Sequence, residues 1–135
     1  MDDLSHVGLF LKAKKLRVTT SLDGTIVSFN SDFSAVTGYT REDLIGARAS
    51  KLRLDSMPKE FFTDLWITIR GGDIWHGAFP SVSKNGSVVW STGIIYPIFN
   101  EYMDVVAFAS ERILCTEIEK NAAMQMIKEK YGKDV

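Results

Sequence analysis

The chain has 135 residues, of which 45% are hydrophobic and 24% charged, and its formal net charge is -1. This size and balance indicate one globular domain, and the near-neutral charge argues against nucleic-acid binding. A single cysteine, Cys115, excludes an internal disulfide and a cysteine-rich metal site and suits a reducing compartment. The N-terminal apolar run is too short and interrupted for a signal peptide or a membrane span, so we expect a cytoplasmic protein.

The first thirty residues predict a short helix followed by a hairpin. Residues 1–15 form the predicted cap helix, because their apolar side chains recur at roughly helical spacing. These side chains are Leu4, Val7, Phe10 and Leu11. In "LRVTTSLDGTIVSFN" two β-rich runs then flank Asp23-Gly24, a dipeptide typical of two-residue hairpin turns, which need positive φ.

Short helices are predicted after the hairpin. Ser31 is a candidate N-cap for a helical turn that ends at Gly38. Thr40, with Asp43 three residues later, resembles a capping box, and this second piece ends at Gly46.

A longer helix is predicted from about Pro58 to Gly71-Gly72. Proline is favourable near a helix start, where its missing N–H has no partner to lose, and glycine is favourable at the end. One apolar stripe runs along this helix: Phe61, Phe62, Leu65, Trp66 and Ile69.

The rest of the chain is β-rich until a final helix. Asn85-Gly86 joins the runs "DIWHGAFPSVS" and "SVVWSTGIIYPIF", and "MDVVAFASERILC" is the last predicted strand. Helix formers dominate residues 117–135. Two hairpins around a helical excursion predict an antiparallel α+β domain with helices on one sheet face. The last two predicted strands carry apolar residues on both faces of the sheet. The face away from the central helices must therefore also be covered, either by the terminal helices or by a second subunit.

No group of residues in the sequence predicts catalysis or a metal site. Neither His6 nor His76 belongs to a cluster with metal-ligand spacing. The sequence contains no nucleophile elbow and no phosphate loop. Cys115 has no activating neighbour, so we interpret it as a small apolar residue. We therefore expect neither enzymatic activity nor a bound metal.

The tryptophans indicate a space between helix and sheet. Trp66 lies on the long helix, and Trp75 and Trp90 lie on strands. Small residues alternate with aromatic ones in these strands and leave volume beside them: Gly77, Ala78, Ser91, Gly93, Ala107 and Ala109. Either long helix side chains or a planar ligand can fill that volume, and the pattern leaves both alternatives open.

From about Leu16 to Glu117 the sequence resembles a PAS domain. The resemblance is carried by "LDGTIVSFNSDFSAVTGYTREDLIG", "MPKEFFTDLWITIRGGDIWHG", "KNGSVVWSTGIIYPIF" and "VVAFASER". It implies a five-stranded antiparallel sheet with short helices on one face and terminal helices flanking it. It also implies three segments: a cap helix (1–15), a sensor domain (16–116) and a C-terminal signalling helix or linker (117–135).

Within that family the chain is most similar to the flavin-binding branch of bacterial aerotaxis and redox sensors, through Met57-Pro58, "DLW", "IWHG" and "KNGSVVW". That similarity implies FAD between the helices and the sheet. The matching cofactor-binding candidates are Asn30, Arg53, Trp66 and Trp90. Heme is not expected, because neither histidine lies in the helical segment. The light-sensing flavin branch needs a cysteine that "ARASKLRLDS" lacks.

Two functional hypotheses follow from this resemblance. In the first, the chain is a sensory module of a bacterial signalling system that binds a small ligand, FAD being the candidate, and relays a change to its C-terminal helix and an output domain or partner protein. In the second, it is a ligand-free module for homodimerisation and protein interaction, with the N-terminal helix and Ile118, Ala122 and Met126 in the contact. "RLDS", where the flavin branch has Arg-His-Pro-Asp, favours the second.

Overall fold

The computed structural model of the protein describes residues 14–135. Within that range the strands are β1 (Leu16–Thr20), β2 (Ile26–Phe29), β3 (Trp75–Val82), β4 (Val88–Phe99) and β5 (Val105–Leu114). The helices are α1 (Ser31–Thr37), α2 (Arg41–Leu44), a 3-10 helix (Ala49–Leu52), α3 (Lys59–Arg70) and α4 (Glu117–Tyr131). The strands form one antiparallel sheet in the order β2-β1-β5-β4-β3, which confirms the predicted fold class. All of the predicted cap helix except residues 14 and 15 lies outside the described range.

Strand β5 lies at the centre of the sheet, between β1 and β4. Ser110 pairs with Val18 of β1 on one side and with Ile95 of β4 on the other. Side chains alternate between the two faces along each strand, so these three residues point to the same face. Helix α3 lies over that face, and the helices and the sheet enclose the candidate site between them.

The caps of the short helices differ from the prediction at one position. Asn30, not Ser31, is the N-cap of α1, and its Oδ1 accepts hydrogen bonds from the amides of Phe33 (3.0 Å) and Arg17 (3.1 Å). An asparagine one residue earlier can therefore cap the helix and at the same time hold the beginning of β1. The capping box of Thr40 and Asp43 at α2 is confirmed.

Both predicted two-residue turns are longer in the structure. Residues 21–25 and 83–87 connect the paired strands, although Gly24 and Gly86 adopt the expected positive φ of 84° and 88°. The side chains of Asp23 and Asn85 accept hydrogen bonds from amides two residues ahead, at 3.2 and 3.0 Å. These local side-chain turns compete with the shorter hairpin and extend the loops.

The predicted apolar stripe of α3 is confirmed as part of the core. Phe61, Phe62, Leu65 and Ile69 are buried, and Trp66 packs against them partly exposed. Pro58 immediately precedes α3, and Gly71 ends it. Because the helix is apolar on the side toward the sheet, burial of this stripe fixes its orientation over β3, β4 and β5.

Helix α4 packs back onto the domain rather than leaving it. Ile127 is fully buried, and the ring of Tyr131 lies 6.0 Å from that of Phe61 on α3. The Tyr131 hydroxyl donates a 2.5 Å hydrogen bond to Asp64, also on α3. Between residues 14 and 135, none of the helices has the length and hydropathy that a bilayer span requires.

Candidate functional site

A cavity of about 100 Å³ lies between α3 and the sheet. Its walls are mainly apolar, contributed by Phe62, Leu65, Trp66 and Ile69 of α3 and by Val18, Phe79, Ile95 and Phe108 of the sheet. The polar residues along it are Thr20, Arg53, Ser81, Ser110 and Arg112. None of the lining residues is acidic, so the cavity carries two positive charges and no negative one.

Aromatic rings and guanidinium groups are stacked against each other around the cavity. Trp66 meets Phe108 edge to face, with ring centroids 5.2 Å apart. The guanidinium carbon of Arg53 lies 4.1 Å above the centre of the Phe62 ring, and that of Arg112 lies 4.4 Å above Phe79. Each arginine therefore covers the face of a ring that lines the cavity.

Arg112 is a buried cation whose neighbours are neutral. Its side chain is 6% exposed, and it donates from Nε to Ser110 Oγ and from Nη1 to Ser91 Oγ, each at 2.9 Å. No carboxylate among residues 14–135 forms an ion pair with it. Burial lowers the pKa of Arg112 to about 10, because loss of solvent disfavours the charged form. At neutral pH the group is still protonated.

Gly93 allows the backbone of β4 to approach that of β5 at Arg112. The two residues are cross-strand partners. A Cβ atom at position 93 would lie 2.2 Å from the carbonyl oxygen of Glu111 and 2.7 Å from Cα of Arg112. Only a residue without a side chain fits such a close approach of two backbones.

Arg53 is placed at the cavity by the segment that follows the 3-10 helix. It is the C-cap of that helix and forms an isolated bridge with Ser81 of β3. Its side chain is half-buried, and this desolvation lowers the pKa of Arg53. It has no acidic partner among the described residues.

The structure brings two of the four predicted site residues together. Arg53 and Trp66 line the cavity, whereas Asn30 and Trp90 are not among its lining residues. Asn30 caps α1, and its Nδ2 donates to the carbonyl oxygen of Lys15 at 2.6 Å. Trp90 directly precedes Ser91, which bonds Arg112, so its side chain points to the opposite face of β4.

Arg112 was missed in the sequence although a signal for it exists. In "FASER" it has the same parity as Phe108 and Ser110, which places it on the inward face of β5. A charged residue on the inward parity of a central strand is uncommon and deserves a functional explanation.

The cysteine thiol is unreactive in this arrangement, and the described residues form no metal site. Burial raises the pKa of the Cys115 thiol to about 11, so it is protonated at neutral pH and is a poor nucleophile. Across residues 14–135 no cluster of histidine, cysteine or acidic side chains has a geometry that could hold a metal ion.

The chain is similar in sequence to parts of two longer bacterial proteins. It is 35% identical over 86 residues to the aerotaxis receptor of Escherichia coli (strain K12), a match over 64% of the chain and 17% of the receptor. It is 30% identical over 94 residues to the biofilm dispersion protein BdlA of Pseudomonas aeruginosa, over 67% of the chain and 22% of that protein. The chain thus spans about a fifth of the length of these relatives.

Its fold also matches that of a solved light-oxygen-voltage domain. A light-oxygen-voltage domain, solved in a study of a flavin analogue, aligns with a TM-score of 0.73 and 16% identity, covering 96% of this chain and 95% of that one. At this identity the likeness concerns the fold alone. A family model described as PAS domain matches residues 17–118, most of the chain, and the protein therefore belongs to the PAS domain family.

Proposed function

We propose that this PAS domain is the sensory module of a signalling protein, that its cavity binds a small ligand, and that occupancy changes how α4 is docked. The observation that carries the proposal is the double contact of α3. Its residues Leu65 and Trp66 line the cavity, while Phe61 and Asp64 contact Tyr131 of α4. A ligand that favours one arrangement of α3 thereby shifts the population of docked α4.

The contact between α3 and α4 suits such a relay because it combines a buried anchor with a polar one. Ile127 supplies the buried anchor. Burial and the hydrogen bond to Asp64 raise the pKa of Tyr131 to about 12, so the hydroxyl stays a neutral donor at physiological pH. Lys130 lies 3.6 Å from the same carboxylate. The polar contact is partly exposed to solvent and is the weaker of the two.

FAD, the cofactor that the resemblance implies, does not fit the cavity in this conformation. Pockets that enclose drug-sized ligands start at roughly 300 Å³, and the present volume is about 100 Å³. The guanidinium groups of Arg53 and Arg112 also each cover one ring, Phe62 and Phe79, in the cavity wall. We therefore propose a ligand no larger than about a single ring, since even a cavity of about 150 Å³ holds one benzene molecule.

This proposal is tested with FAD and with two ring-sized probes that differ in charge, benzoate and benzamide. We expect protein incubated with excess FAD and then desalted to show no flavin absorption, because the ring system cannot enter. We expect at least one ring-sized probe to bind and to change the hydrogen-exchange rates of the α4 amides. Trp66→Ala should weaken that binding by roughly tenfold, because one cavity wall is removed.

The matched control is Ile67→Ala, since Ile67 neighbours Trp66 on α3 but is 67% exposed. It should leave probe binding unchanged. A desalted protein that retains FAD would contradict the proposed ligand size. If neither probe alters exchange in α4, the sensory proposal itself is wrong.

An exposed apolar stripe on α4 supports a second candidate function, homodimerisation without a ligand. Ile118 is 83% and Met126 40% exposed, and Ala122 between them is also exposed. Spaced four residues apart, the three lie along one side of the helix. This is the side that the sequence predicts for a dimer contact, and it is turned away from Ile127.

We expect Ile118→Glu to weaken self-association, because it places a charge within an apolar contact, at its most exposed residue. Light scattering over a range of protein concentrations measures the change as a lower mass at a given concentration. Lys128→Glu, on another side of the same helix, is the control and should leave the mass unchanged. A wild-type protein that is monomeric at all concentrations would rule out this second function for the chain.

A further inference from the structure

We propose that the ligand of the cavity carries an anionic group and that Arg112 binds it, so that the ligand class is a small ring-bearing carboxylate. The inference rests on the proposed function, because it names the ligand of the same site. It comes from Arg112, a buried guanidinium that has no counter-ion among residues 14–135.

The charge balance of the cavity is the first argument. Arg53 and Arg112 both line it, and no acidic residue does. A buried charge is unfavourable unless it is paired, so a positively charged cavity is completed by an anion. Arg53, which is half-buried, adds a second positive charge to the lining of the same cavity.

The hydrogen bonds of Arg112 are the second argument. Nε and Nη1 donate to the hydroxyls of Ser110 and Ser91, which orient the guanidinium plane. Nη2 forms no hydrogen bond to a residue between 14 and 135, and it keeps some accessible surface, because no fully buried side-chain nitrogen or oxygen in that range lacks a partner. A carboxylate matches the donor geometry of a guanidinium group, and such charge-assisted bonds are stronger than neutral ones.

The alternative is a purely structural role for Arg112. In that case its neighbours should balance its positive charge, and they do not. Phe79 and two serine hydroxyls contact the guanidinium, but none of them carries a negative charge. The adjacent Glu111 has opposite parity and is engaged elsewhere: it accepts from Arg17 at 3.1 Å and from the Tyr96 hydroxyl at 2.9 Å. The counter-charge must therefore come from outside the described residues.

The walls define the rest of the ligand. Trp66, Phe108 and Leu65 offer apolar surface to a flat ring, and the volume of about 100 Å³ limits the ligand to about one ring. A carboxylate on that ring is placed to bind the guanidinium of Arg112, whose position is fixed by its stacking on Phe79. These features together favour an aromatic carboxylate over a nucleotide or a long-chain lipid.

Calorimetry with benzoate and benzamide tests the charge requirement, because the two probes have nearly the same shape. We expect benzoate to bind at least about tenfold more tightly, as a hydrogen bond to a charged group exceeds a neutral one. In wild-type protein labelled with ¹⁵N, benzoate should also shift the Nε–Hε resonance of Arg112. Arg112→Gln should abolish the preference, and Arg112→Lys, which keeps the charge but not the fork, should retain part of it.

Arg70→Gln is the matched control, since Arg70 stacks on Trp66 at 4.8 Å but does not line the cavity. It should keep the full benzoate preference. Equal binding of the two probes overturns the anion assignment and leaves the sensory proposal standing. Failure of both probes to bind overturns both. If Arg112→Gln does not fold, Arg112→Lys and the wild-type resonance shift decide the question.

Discussion

Replacing Ile127 with alanine should weaken the docking of α4 on the domain by about 3 kcal/mol, so that the helix undocks more often. Ile127 is fully buried in the cluster that contains Phe61, Phe79 and Phe108. Removing most of its side chain forfeits burial and leaves a cavity, and both effects are unfavourable. The loss should appear as faster hydrogen exchange of the α4 amides and as a lower urea midpoint if the helix is part of the cooperative unit.

Met126→Ala is a stringent control for this experiment. Met126 is the next residue along the helix, has a side chain of similar size and is 40% exposed. Its truncation should change stability by less than about 1 kcal/mol, because an exposed side chain loses little on removal. Comparable losses in the two variants would show that α4 is not anchored through Ile127.

The Ile127→Ala variant also tests whether α4 undocks independently or unfolds together with the core. If α4 exchanges quickly while β4 and β5 stay protected, the helix is a unit that undocks independently, as the relay requires. If the whole domain loses protection together, α4 is an integral part of the core and cannot report on the cavity alone. The exchange pattern therefore bears on signalling as well as on stability.

The sequence predicted the architecture well because the decisive signals are local. The α3 stripe, its flanking Pro58 and Gly71, and the capping box at Thr40 each depend on neighbours within one helical turn. The N-cap of α1 was predicted at the wrong residue because two neighbouring residues compete for that position. Ser31 and Asn30 can both cap a helix, and the asparagine prevails because it also accepts from Arg17.

The site was less predictable because it depends on contacts between distant strands. Trp66 could be placed from the helical stripe, and Arg53 from the family resemblance. Trp90 was a candidate for the same cavity, yet strand parity directs its side chain to the opposite face. The partner of Arg112, Ser91, is 21 residues away in the chain. No periodicity in either strand indicates that pair, since it depends on the register between β4 and β5.

That register gives the second large prediction, which concerns Gly93. Gly93→Ala should destabilise the protein by about 3 kcal/mol, measured by urea denaturation. The added Cβ would meet the carbonyl of Glu111 at 2.2 Å and Cα of Arg112 at 2.7 Å. Both are backbone atoms of a central strand, so no side-chain rotation can relieve the overlap and the two strands must separate.

Gly86→Ala distinguishes this backbone clash from the general effect of losing a glycine. Gly86 has a φ of 88°, and a Cβ there meets nothing within 4 Å, so the variant should lose only about 1 kcal/mol for a left-handed alanine. Equal losses at the two positions would contradict the argument from close strand approach. Because the β4–β5 register also positions Arg112 toward the cavity, a Gly93→Ala protein that still folds should bind benzoate no better than benzamide. Persistence of the benzoate preference in that variant would mean that the guanidinium finds the anion without the help of the strand pairing.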